Sequence, residues 1–322
     1  MLFSINLNCI KILSSMNAFI RYIIIAIALL SSVYGQGQEI RVATYNIRLL
    51  NRSDSLQGNG WWHRRDALCG LVGFHDFDIF GAQEVCLPQL RYILEKLPQY
   101  DYVGVGRDDG KTAGEFSPVF YKRDRFELLD GGTFWLAERT DTPSKGWDAA
   151  CMRICSWGRF EDRASGRRFW FFNLHMDHRG VEARRQSARL VLSRIERMCG
   201  GEPVILTGDF NVDQTNESYR LLDDSPILDD AYKVAGVRYA LNGTFNAFDP
   251  NRKTDSRIDH IFVGGGIVVE RYGILTDTYR SQAQEEVALR DFPREVTMRK
   301  AVARTPSDHF PVCAVLDLGA SE

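Results

Sequence analysis

Six times along this chain a short strand-forming stretch opens or closes on an amide, a carboxylate or an imidazole. The strings are Tyr45-Asn46-Ile47, Gln83-Glu84-Val85, Asn173-Leu174-His175, Gly208-Asp209-Phe210-Asn211, Arg257-Ile258-Asp259 and Ser307-Asp308-His309. Alternate residues of a strand face opposite sides of a sheet, and functional groups gather in the loops at sheet edges. A chain with this pattern is expected to fold as an α/β protein that carries its polar groups to one edge.

The periodicity between these strings predicts helices over 61–74, 88–97 and 182–198, the last stopped by Gly200-Gly201. It predicts strands over 40–47, 78–83, 100–105, 118–121, 126–134, 152–160, 168–174, 204–206, 258–263, 268–275 and 312–316. A turn at Ala164-Ser165-Gly166 joins two of them as a hairpin. Residues 278–305 read as a charged segment of mixed helical and loop character without a strand. Runs of strands interrupted by amphipathic helices, with few regular βαβ units, point to two mixed sheets packed face to face with helices outside.

Residues 1–35 contain no Asp or Glu and carry the apolar run Tyr22 to Leu30 behind Arg21. Such a run is too short for a membrane span, which takes about 20 residues, and reads as a signal peptide cut after Gly35. The expectation is an exported protein (periplasmic or secreted) with one domain over 36–322, monomeric and without stable membrane insertion. The whole chain has 40 basic and 42 acidic residues, a formal charge of −2, and losing Lys11 and Arg21 with the leader makes it more acidic still. That balance argues against tight non-specific binding of duplex DNA, which needs a basic surface. Six of the seven cysteines lie beyond the leader; their spacing does not describe a disulfide scaffold, and buried free thiols are expected.

The residue types fit one kind of chemistry. A phosphodiester resists hydrolysis because its oxygens repel the nucleophile and its leaving alkoxide is poor, so a site must neutralise charge, activate water and stabilise the departing oxygen. Asn46, Glu84 and Asp308 are the oxygen donors a magnesium ion takes, with manganese as a possible substitute. Asp209 and Asn211, two apart on a turn, can share one cavity, and a carboxylate such as Asp259 would raise the basicity of His309. Each residue also has an ordinary use, as a turn cap, an Asx-turn or a satisfied core histidine. Their combination is the signal.

Those strings, in order, resemble the motifs of the endonuclease/exonuclease/phosphatase superfamily over about residues 40–318. The resemblance implies a four-layer αββα sandwich with the site at the sheet edges. It implies that Asn46, Glu84 and Asp308 hold magnesium, that Asp209 and Asn211 position water and phosphate, and that Asp259 orients His309. Gly114-Glu115-Phe116 looks like the point where deoxyribonuclease-type members set a glutamate against the equivalent of His175. Two carboxylate–histidine pairs, Glu115–His175 and Asp259–His309, would then flank the phosphate. Arg153 is a candidate phosphate contact or a buried ion pair. Leu206-Thr207 and Ile258-Asp259-His260 depart from the pattern of inositol polyphosphate phosphatases. The expectation is a phosphoesterase, favouring phosphodiesters; the alternatives are a phosphomonoesterase on a small phosphorylated sugar or lipid head group, or a non-catalytic binding protein on the same fold.

Overall fold

Two sheets, of seven and six strands, lie at the centre of the computed structural model, which describes residues 39–281, 286–287 and 295–319. The expected leader lies outside the described residues. The first sheet runs in the order β10 (Val237–Tyr239), β12 (Val268–Ile274), β17 (Val312–Asp317), β1 (Glu39–Asn46), β2 (Ile79–Gln83), β4 (Val119–Lys122), β3 (Tyr100–Val103). The second runs β5 (Phe126–Trp135), β6 (Ile154–Asp162), β7 (Arg168–His175), β8 (Val204–Asp209), β11 (Asp259–Gly264), β9 (Asp229–Asp230). Both mix parallel pairs, β1 with β2 and β7 with β8, with antiparallel ones.

Strand parity sorts the core into layers. Val42, Ile79, Phe171, Ile205 and Ile261 meet in a cluster between the sheets. Their chain neighbours Ala43, Phe80, Phe172, Leu206 and Phe262 point outward. Ala43 and Phe80 pack on helices α2 (Trp61–His75) and α3 (Leu87–Lys96) through Leu68, Val72, Leu90 and Ile93. Phe172, Leu206 and Phe262 pack on α4 (Val181–Cys199) and α5 (Glu217–Asp223) through Val191, Ile195, Tyr219 and Leu222. The order helix, sheet, sheet, helix is the expected sandwich. Gly200, left-handed at φ 57°, ends α4 as its sequence predicts.

Shorter pieces escaped the periodicity. Helices α1 (Arg52–Leu56) and α6 (Ala231–Val234) have too few turns to show a period. The segment expected to lack strands instead forms two small antiparallel ladders, β13 (Tyr279–Arg280) with β16 (Ala303–Arg304) and β14 (Glu286–Val287) with β15 (Met298–Arg299). Two-residue strands are set by cross-strand pairing rather than by a local pattern. All six described cysteines are free thiols.

Candidate active site

The inward rows of both sheets change character toward one edge. Above the apolar layer lies a buried polar layer of Thr44, Gln83, Asn173 and Thr207. Gln83 donates to Thr44 Oγ1 at 3.0 Å and across the sheets to Asn173 Oδ1 at 2.7 Å. Asn173 donates to the carbonyls of Ala82 and Pro118, and Thr207 donates to Asn173 Oδ1 at 3.1 Å. Two residues further along the same rows stand Asn46, His175 and Asp209. Register aligns His175 with Asp209 on β7–β8 and Asp209 with Asp259 on β8–β11, so the three form one cross-strand row.

Asn46 crosses to this row, donating from Nδ2 to Asp209 Oδ2 at 2.9 Å and to Glu84 Oε1 at 3.1 Å. Glu84 escapes strand parity because its backbone turns left-handed, at φ 60°, which aims a residue next to Gln83 into the cleft. The amide of Leu49 donates to Glu84 Oε2 at 3.0 Å. Arg48 is left-handed too, at φ 58°, a conformation that costs a non-glycine L-residue free energy unless its surroundings fix it. Here its N–H donates to Asn46 Oδ1, its carbonyl accepts from Arg64 and Gln89, and its guanidinium binds Asp54. Ser307 donates to the Asn46 carbonyl at 2.7 Å, tying the Asp308-His309 turn to β1.

His309 and His175 approach the same atom from two sides. His309 Nε2 is 3.9 Å, and His175 Nε2 3.5 Å, from Asp209 Oδ2. Asp259 Oδ2 lies 2.9 Å from His309 Nδ1. Burial opposes a charge on His309, but Asp259 and then Asp209 outweigh it and hold the imidazole well above its ordinary value. Burial, reinforced by Asp259, pushes Asp209 up to about 7. Burial, then Arg153 and Arg107, hold His175 well below its usual range. Asn211, at φ 52°, donates from Nδ2 to the carbonyl of Met176 at 3.0 Å and to His175 Nε2 at 3.1 Å.

The expected Glu115–His175 pair forms differently. Glu115 Oε2 is 3.9 Å from His175 Nδ1, while Arg107 holds that oxygen at 2.7 Å and Arg153 Nη1 takes the imidazole nitrogen at 2.9 Å. Arg153 is buried and ion-paired with Asp177 at 3.4 Å. Sequence reasoning missed Arg48, Asp54 and Arg107. Arg48 stands two residues after Asn46, yet a left-handed backbone leaves no mark in apolar periodicity, and Arg107 belongs to a loop.

Asn46, Glu84 and Asp308 suit a hard divalent cation: all offer oxygen, and Asn46 Oδ1 keeps a lone pair beyond its bond to Arg48. Burial, and less strongly the charge of Glu84, raises Asp308. Arg48 Nη1 stands 3.5 Å from Asp308 Oδ2, so this corner already attracts positive charge. Asp209, Asp259 and His309 also place ligand-type atoms within 4.8 Å of one another. The Nδ1 of His309 is engaged by Asp259, however, which makes that trio better suited to moving a proton.

The Endonuclease/Exonuclease/phosphatase family model matches residues 43–309. This chain belongs to that family. Members of that family are phosphoester hydrolases. A Bacteroides thetaiotaomicron protein of the family superposes with TM-score 0.81 at 52% identity, covering 87% of this chain and 98% of that one. A mannosyl-6-phosphatase from the same species superposes with TM-score 0.79 at 53% identity, covering 86% and 99%. Among curated proteins, an uncharacterized protein of Acanthamoeba polyphaga mimivirus is 31% identical over 161 residues, 48% of this chain and 60% of its own length. Nocturnin of Drosophila melanogaster is 22% identical over 207 residues, 57% and 30%. The match thus spans less than two thirds of either curated relative.

Proposed function

We propose that this family member is an exported, magnesium-dependent phosphomonoesterase acting on a small phosphorylated sugar. Of the expectations drawn from the sequence, this prefers the sugar phosphate to the phosphodiester. The 53% identity to a mannosyl-6-phosphatase over nearly all of that chain supports the choice. The observation that carries the hydrolytic role is the continuous contact chain from Glu84 through Asn46 to Asp209, with His175 and His309 on either side.

Asn46, Glu84 and Asp308 would hold the magnesium, which supplies charge neutralisation at the phosphoryl group. Asn211 donates to a phosphoryl oxygen from a carboxamide whose orientation the Met176 carbonyl sets. Asp209, raised toward neutrality, and His309, backed by Asp259, exchange the proton of the attacking water and of the leaving alcohol. The test is phosphate release by the purified chain from sugar 6-phosphates, set beside DNA and lipid phosphodiesters. Sugar phosphates are expected to be hydrolysed, EDTA to abolish turnover, and magnesium or manganese to restore it. Cleavage of diesters with no phosphate released from any sugar phosphate would reverse the substrate assignment; full activity in EDTA would remove the metal.

A further inference from the structure

Two of the turns that carry proposed metal ligands come from opposite ends of the chain, and one side chain bonds to both. Arg64, fully buried on α2, donates from Nη1 to the carbonyls of Ile47 at 2.6 Å and Pro306 at 3.0 Å. Its Nη2 donates to the carbonyl of Arg48 at 2.7 Å, and its Nε to that of Asn59 at 3.0 Å. Ile47 and Arg48 directly follow Asn46, and Pro306 stands two residues before Asp308. One planar group thus fastens the turn after β1, the loop between α1 and α2, and the turn before β17. We infer that Arg64 is a positioning residue that sets the separation of Asn46 from Asp308, and through it the affinity of their corner for a divalent cation. This rests on the reading of Asn46, Glu84 and Asp308 as the metal ligands.

A buried charge is costly even when its hydrogen bonds are made, and burial lowers the Arg64 guanidinium from its ordinary value. An apolar residue would fill the first turn of α2 at less cost. What no apolar residue supplies is a planar fork of five donors, able to hold several carbonyls at fixed angles. The rings of Trp61 and Phe248 lie 5.3 Å and 5.6 Å from its Cζ, contacts that favour a cation at this place. The stretches it ties down also serve the corner directly. The N–H of Arg48 donates to Asn46 Oδ1, and the amide of Leu49 to Glu84 Oε2. Ser307, next to Pro306, donates to the Asn46 carbonyl. A shift of either turn therefore moves ligand oxygens, and losing a group that orients ligands from behind typically lowers metal affinity about tenfold to a hundredfold.

Manganese binding to the full chain, followed through the electron paramagnetic resonance of free Mn2+, tests this without substrate or turnover. Arg64→Lys keeps the charge but gathers its donors on one atom, which cannot span carbonyls set around a fork. It is expected to bind Mn2+ about tenfold to a hundredfold more weakly than wild type while still unfolding cooperatively. Arg64→Met is expected to lose at least as much, and it decides the matter if Arg64→Lys does not fold. Wild-type affinity in folded Arg64→Lys would overturn the inference, since a loss confined to Arg64→Met would mean that Arg64 acts through its charge alone. Wild-type affinity in folded Arg64→Met would overturn it too. Failure of the wild-type chain to bind Mn2+ at all would instead remove the metal corner, and the inference with it.

Discussion

Two imidazoles converging on one carboxylate oxygen are useful only if they differ, and what lies behind each ring makes them differ. Removing His309 takes away the ring backed by Asp259 while leaving β17 and its core contacts intact. His309→Ala is expected to lower kcat by roughly a hundredfold or more, a typical loss for an acid/base group, in a chain that still unfolds cooperatively though at a lower midpoint, because buried Asp259 loses its partner. Turnover measured beside a melting curve checks this, and near-normal turnover removes His309 from the mechanism. A third buried histidine, His260, behaves unlike either. It sits among Phe210, Tyr219 and Phe262, faces the Val212 carbonyl at 3.0 Å, and is brought down to about 4, chiefly by burial. Its folded value lies below the ordinary 6.5, so the unfolded chain binds the proton first as pH falls. Stability from this group is full above about pH 6.5 and is lost toward pH 4, by roughly 2 to 3 kcal/mol between pH 7 and 4.5. Urea titrations at both pH values should show His260→Gln losing less stability than wild type; an equal loss would contradict the account.

Elements carry these residues to the edge through strand parity. On β1 the inward row runs Val42, Thr44, Asn46; on β7 it runs Phe171, Asn173, His175; on β8 it runs Ile205, Thr207, Asp209. Each passes from apolar through bridging polar to reactive. That order was legible in the sequence as apolar runs ending in polar strings, which is why the sheets and most of the site could be read from it. The rest depended on backbone twists and long-range partners: Arg48 turns left-handed to reach the site, and Arg153 rather than Glu115 takes His175 Nδ1. The middle layer also sets the spacing of the sheets. A Cβ on Gly81 would overlap Asn173 Oδ1 and Thr207 Oγ1. Gly81→Ala must push β2 off β7 and β8 or break the Gln83–Asn173 bond. A loss of about 2 kcal/mol or more in denaturant unfolding is expected, with activity reduced beyond what the remaining folded fraction explains.

At the scale of the whole molecule, charge separates substrates that the catalytic groups alone do not. A duplex nuclease gripping six to ten phosphates loses about 10³ to 10⁵ in affinity between 50 and 200 mM salt, because each neutralised phosphate releases condensed counterions. This chain has 42 acidic against 40 basic residues, and the arginines nearest the site are committed internally: Arg48 to Asp54, Arg107 to Glu115, Arg153 to Asp177. Among the described residues, these three arginines are held by carboxylates rather than free to follow a phosphate backbone, whereas one phosphoryl group needs only the local donors. For a sugar phosphate, kcat/KM is therefore expected to change by no more than a few fold over that salt range at constant magnesium. A loss of a thousandfold would mean that many phosphates are bound at once, and would return a nucleic acid to the head of the substrate list.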